Sequence, residues 1–137
     1  MRQSSSKLNL IYLYRLPVIG LCLLIFWQSS NPSIISTSLF SHDDKVLHFG
    51  VWALLAFLIA RDLIAEKPFW PLTKIKIITI VFACLFGLSD EIHQAFVPSR
   101  SASAGDFLAD CAGSIFGCLF YLDVFIRKNR RPNNKSL

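Results

Sequence analysis

The sequence predicts an all-α membrane protein with four transmembrane helices and both termini on the cytoplasmic side. Hydrophobic residues make up 53% of the chain and charged residues only 17%, where soluble domains carry about 25% charge. The apolar residues are gathered into blocks of membrane-spanning length rather than dispersed along amphipathic faces. Lys and Arg concentrate in alternate connections, as they do when a chain crosses a bilayer repeatedly. The length of 137 residues leaves room for one domain, residues 1–137, and no internal repeat is visible.

Residues 1–7 are a short polar, basic lead. Residues 8–27 form the first apolar run, interrupted by Arg15 and Pro17, and about 20 residues suffice to cross a bilayer. Near the cytoplasmic end, Arg15 can snorkel to the headgroups, and Tyr12 and Tyr14 suit an interfacial belt. Arg2 and Lys7 ahead of an apolar stretch also suit a signal peptide. The W-Q-S-S-N-P-S that follows lacks a small-residue cleavage pattern, so an uncleaved span is expected. Residues 28–43 connect, with a turn signal at Asn31-Pro32. The second run covers 46–60, with Asp43 and Asp44 placed to cap its first turn.

Residues 61–76 read as a mixed charged loop holding Pro68, Pro71 and a possible interfacial anchor, Trp70. Residues 77–88 are apolar, and helix continuing to about Phe96 makes them a full span. Pro98 argues for a helix end just before it. Residues 106–126 form the fourth span, and 127–137 are a basic cytoplasmic tail.

Of the 14 Lys and Arg residues, only Lys45 and Arg100 fall in the first and third connections. The others are Arg2, Lys7 and Arg15; Arg61, Lys67, Lys74 and Lys76; and Arg127, Lys128, Arg130, Arg131 and Lys135. That asymmetry predicts cytoplasmic termini and an outward-facing pair of connections. The net charge of +5 does not imply a nucleic-acid partner, because the basic residues flank apolar blocks instead of lining one face. Cys22, Cys84, Cys111 and Cys118 lie inside apolar runs without a C-x-x-C pair, so they read as small hydrophobes rather than disulfide or zinc-knuckle residues.

The informative stretch is 88–117, where polar and ionisable residues sit between the last two apolar runs. Such groups at membrane helix ends are costly unless paired or wet, and their default reading is functional. Counted upward from the basic ring at about 1.5 Å per residue, His48 and Asp90 lie about 20 Å up and Asp110 about 25 Å. Separate helices thus carry ionisable groups to a similar level, and an outward-opening polar pocket is expected there. On the fourth span Asp106, Asp110, Gly113 and Gly117 share one face, and Gly113-x-x-x-Gly117 permits close helix approach. Asp44, Lys45, Asp90, Glu91, Arg100, Asp106 and Asp110 together carry excess negative charge. A retained proton, a protonated histidine or a bound cation would relieve it.

Several chemistries fit these residues. Proton transfer would use Glu91 or Asp90 with His93 or His48, while Lys45 and Arg100 hold an anionic group and Asp44, Gln94, Asp106 and Asp110 line the site. A metal would draw on His48, His93 and two carboxylates, but no metal-binding spacing is present, so no metal ligand or cofactor is assigned. Ser89, Ser101 and Ser103 lack a nucleophile elbow. A non-enzymatic ion network that fixes helix packing and a small proton- or cation-coupled transporter stay open beside the enzymatic reading.

The motifs D-K-V-L-H-F at 44–49, S-D-E-I-H-Q at 89–94, V-P-S-R at 97–100 and D-F-L-A-D-C-A-G-S-I-F-G at 106–117 resemble those of the VanZ-like family of small membrane proteins. The matching segment spans 44–117. Many relatives carry asparagine where this chain has Asp110. The family takes its name from low-level resistance to the glycopeptide teicoplanin. The resemblance therefore implies a bacterial cell-envelope protein in the cytoplasmic membrane, with a lipid-linked cell-wall precursor as a candidate partner. The family motif positions fall on Asp44, Lys45, His48, Asp90, Glu91, His93, Gln94, Arg100 and Asp106. The resemblance names no reaction or cofactor, and the sequence leaves the oligomeric state open.

Overall fold

A computed structural model describes residues 8, 11–31, 43–98 and 100–130. The basic lead, Pro32 and the tail beyond 130 lie outside the described residues. A π-helical turn, Ile11–Arg15, leads into α1, Leu16–Ser29; then come α2, Asp43–Glu66, α3, Leu72–Gln94, and α4, Ala104–Arg130. Pro17 sits in the first turn of α1, directly after the π-helical turn. Among the described residues, four segments are long and apolar enough to cross a membrane: Ile11–Ser29, Asp43–Glu66, Leu72–Gln94 and Ala104–Arg127. The all-α, four-span expectation agrees with this.

Several boundaries differ from the sequence reading; α4, read as 106–126, runs Ala104–Arg130. The stretch 61–76 is not one loop: α2 runs on to Glu66 and α3 begins at Leu72. Reading spans from apolar runs alone stops at the first charges, but here those charges have helical partners. Arg15 pairs with Glu66 and lies 3.7 Å from Asp62, and the Arg61 guanidinium sits 4.5 Å over the Tyr14 ring. Arg15 therefore ties α1 to the acidic end of α2 rather than simply reaching for headgroups. Helix α3 ends at Gln94, two residues short of the expected Phe96.

Small residues let two of the helices approach closely, as they do in membranes where no hydrophobic effect drives helices together. The most extensive contact joins α2 and α4. A Cβ at Gly113 would fall 2.2 Å from the Phe49 carbonyl oxygen, and one at Gly117 would fall 1.9 Å from that of Ala53. Residues 113 and 117 on one helix thus meet 49 and 53 on the other, backbone against backbone. Below this contact the core holds Trp52, Leu55, Ala56, Ile59, Ala60, Ile75, Ala83, Cys118 and Leu122. On α3 the inward stripe recurs every four residues, at Ile75, Thr79, Ala83, Gly87 and Glu91. All four cysteines are free thiols, in keeping with their reading as small hydrophobes.

Gly117→Ala should lower the melting temperature of the detergent-solubilised protein, with a loss of about 1–3 kcal/mol from overpacking. Gly20→Ala, where a Cβ would meet nothing within 4 Å, should leave stability unchanged or raised, since alanine is the better helix former. Equal melting temperatures for the two variants would count against the backbone contact.

Candidate functional site

At the end of the bundle opposite the Lys67–Trp70 connection, α2, α3 and α4 bring buried ionisable side chains together. His48 comes from the second turn of α2, and its Nδ1 lies 2.8 Å from Asp110 Oδ1. Glu91, near the end of α3, completes the group: one donor atom from each of His48, Glu91 and Asp110 lies within 4.8 Å of the others. Asp110 is fully buried, and Glu91 is 5% exposed. The His48 ring stacks on Trp52, one helical turn along, with centroids 5.5 Å apart. The indole N–H of Trp52 in turn donates to the Ala83 carbonyl at 3.2 Å. That chain of contacts fixes the imidazole plane.

The start of α4 explains how Glu91 is held. Ser103 caps this helix, with its carbonyl accepting the N–H of Asp106 and of Phe107 and its Oγ lying 3.4 Å from the Asp106 N–H. In a capping box the acid three residues on would reach back to the cap's own N–H. Here Asp106 turns away to Lys45, at 2.9 Å, and Glu91 Oε2 accepts the Ser103 N–H at 2.7 Å. An acid from a different helix thus takes the vacant capping role. Lys45 also reaches Asp44 at 3.1 Å, which makes a chain of Asp44, Lys45 and Asp106 at the rim.

Beside Glu91 lies an open groove of about 470 Å³ between the ends of α3 and α4. Leu88, Ile92, Phe96 and Phe107 make it apolar, and Glu91 is its one acidic lining residue. Apart from Glu91 and Ser103 the groove is lined by apolar side chains.

The VanZ/LLP1 family model matches residues 3–127 of the chain. This chain belongs to the VanZ/LLP1 family. No curated protein and no solved structure matches it. With the four candidate spans, membership makes it a VanZ-like multi-pass membrane protein.

Within this VanZ/LLP1 chain the motif residues divide into three groups. His48, Glu91 and Asp110 converge, with Lys45, Asp44 and Asp106 beside them. Asp90 and Gln94 pair along α3, with the Gln94 amide donating to Asp90 Oδ2 at 2.8 Å. His93 and Arg100 serve α1 instead. His93 Nε2 lies 2.9 Å from Ser30 Oγ, and its ring stacks on Phe26 at 4.8 Å. Arg100 donates from Nε to the Asn31 carbonyl at 2.8 Å and from Nη2 to the Gln28 carbonyl at 2.6 Å. A guanidinium against the last carbonyls of a helix satisfies groups that have no helical partner and offsets the negative end of its dipole. Arg100, expected from the sequence to hold an anionic group, instead clamps the end of α1. His93 is likewise separate from the proposed pairing with His48.

Gly87 and Trp52 were not singled out from the sequence, and Ser103 was weighed there only as a nucleophile and not as the cap of α4. A Cβ at Gly87 would lie 2.8 Å from Trp52 Nε1 and 3.0 Å from Asp110 Oδ2, so glycine there makes room for the carboxylate. The four-residue stripe on α3 was the available signal, since it places Gly87 and Glu91 together on the inward face.

Arg100→Ala should loosen α1 while leaving the His48–Asp110 pair intact. Losing charge-assisted hydrogen bonds of this kind costs about 1.5–3 kcal/mol. The effect is measurable as faster proteolysis of the connection after α1, with the α2–α4 core still protected. Unchanged protection of α1 would contradict the clamp.

Proposed function

We propose that this VanZ-like protein works in the bacterial cell envelope, from the cytoplasmic membrane, on a lipid-linked group whose apolar part lies in the groove beside Glu91. The single observation that carries the proposal is the double placement of Glu91. It lines the groove, and it also stands within 4.8 Å of donor atoms of His48 and Asp110. A lipid chain seated against Phe96 and Phe107 would bring its polar end to a buried acid–imidazole cluster. General acid–base work needs groups within hydrogen-bond reach or one water apart. Glu91 is the base in this reading, His48 its proton partner, and Asp110 the group that orients the imidazole. The asymmetry of Lys and Arg supports an outward position for this end of the bundle. The family likeness supports an envelope role, with teicoplanin tolerance as one readout.

A second reading has a specific observation in its favour. Glu91 accepts the Ser103 N–H, and Lys45 bridges Asp44 and Asp106, so the same residues also hold α4 in place. In that reading the network serves assembly alone.

The two readings part on Glu91→Gln, whose amide oxygen can still accept the Ser103 N–H. Under the enzymatic reading the variant assembles and melts like the parent but loses the envelope phenotype, measured as teicoplanin susceptibility of a complemented deletion strain. Under the assembly reading, phenotype and melting temperature move together. A photoactivatable polyprenyl phosphate should label peptides that contain Ile92, Phe96 or Phe107, and Phe107→Trp should suppress that labelling. Label distributed evenly over all lipid-facing helices would sink the groove assignment.

A further inference from the structure

We propose that His48, Glu91 and Asp110 form a binding site for a divalent transition-metal ion. The residues come from three helices, and their donor atoms lie within 4.8 Å of one another. Each carboxylate also has one oxygen that is buried with no hydrogen-bond partner among the described residues: Oε1 of Glu91 and Oδ2 of Asp110. The partners each does have are single: Ser103 N–H for Glu91 and His48 for Asp110. A buried carboxylate oxygen without a donor is unfavourable, and two carboxylates facing one another at this depth add mutual repulsion. A divalent cation answers both problems at once.

The donor set suggests the kind of ion. One imidazole nitrogen with two carboxylates suits zinc or manganese rather than magnesium or calcium, which take oxygen ligands. Ligand atoms around tetrahedral zinc sit about 2.1 Å from the metal and about 3.4 Å apart, so small inward rotations close the cluster. Gly87 leaves the space in which the Asp110 carboxylate stands.

Three protein ligands leave a coordination position open, as in catalytic rather than structural sites. With the ion bound Glu91 and His48 act as its ligands rather than as a free base and proton partner, and the ion meets the polar end of the lipid-linked group proposed above; to that extent the inference rests on that reading. Lys45 is engaged by two carboxylates and Arg100 by two carbonyls. An ion at the end of the groove would supply the positive charge that neither side chain is free to give.

The test uses the full chain in detergent, stripped with chelator, exposed to zinc or manganese chloride and desalted. About one ion per chain is expected, with a melting temperature that rises as free metal rises. Asp110→Asn and Glu91→Gln should each weaken binding by more than the roughly 10–100-fold that loss of an outer-shell partner costs. His93→Ala, whose imidazole serves α1, should bind as the parent does. A parent protein without stoichiometric metal or any metal-dependent melting shift overturns the site, and this holds even where a variant fails to fold. Full metal retention in both carboxylate variants overturns it equally. Metal binding without lipid labelling of the groove would keep the ion site and discard the groove's occupant; the reverse result would do the opposite.

Discussion

His48 meets Asp110 because α2 and α4 touch backbone to backbone one turn away. Gly113 against the Phe49 carbonyl and Gly117 against that of Ala53 leave no room for even one methyl group. At that separation a short aspartate three residues before Gly113 can span to an imidazole one residue before Phe49, at 2.8 Å. With the helices at an ordinary spacing the two groups would face each other across a gap, and at membrane depth water or lipid would have to fill it. The glycine stripe is thus as much a part of the candidate site as the residues that titrate. It also explains the burial of the acids: Asp110 is fully buried and Glu91 almost so.

The cations are distributed to assemble the bundle. Arg15 joins the start of the first span to Asp62 and Glu66 of α2, and Arg100 holds that span's other end by its last carbonyls. α1 buries little of its own surface, with Ile25 and Ser29 the buried residues of that helix. Its position therefore depends on polar contacts at its two ends. Consequently the centre of the bundle keeps the acids and one imidazole while the arginines sit at its margins. A site of that composition favours positive charge, and this favours the metal proposal over direct capture of an anion by side chains.

Much of this was legible in the residues. The apolar blocks predicted four spans, and the spacing of Asp106, Asp110, Gly113 and Gly117 predicted a shared face. The estimate that His48 and Asp110 lie at similar heights was good enough to make them neighbours. What could not be read was rotation. Asp90 and Glu91 differ by about 100° around α3; the stripe through Ala83 and Gly87 points to Glu91, but its meeting with His48 and Asp110 is seen only in the packing. Nor could spacing reveal that His93 and Arg100 turn toward α1, because their partners lie 63 to 72 residues away and several are backbone oxygens. The charges after residue 60 were mistaken for a loop for a related reason: their partners, Arg15 and Tyr14, belong to another helix.

The two oxygens of Glu91 have separate duties. One holds the first turn of α4 through Ser103, and the other is uncommitted. Anything that recruits this residue can therefore do so in monodentate fashion and leave the α3–α4 corner fastened. Exchange at the centre of the bundle then need not loosen its architecture.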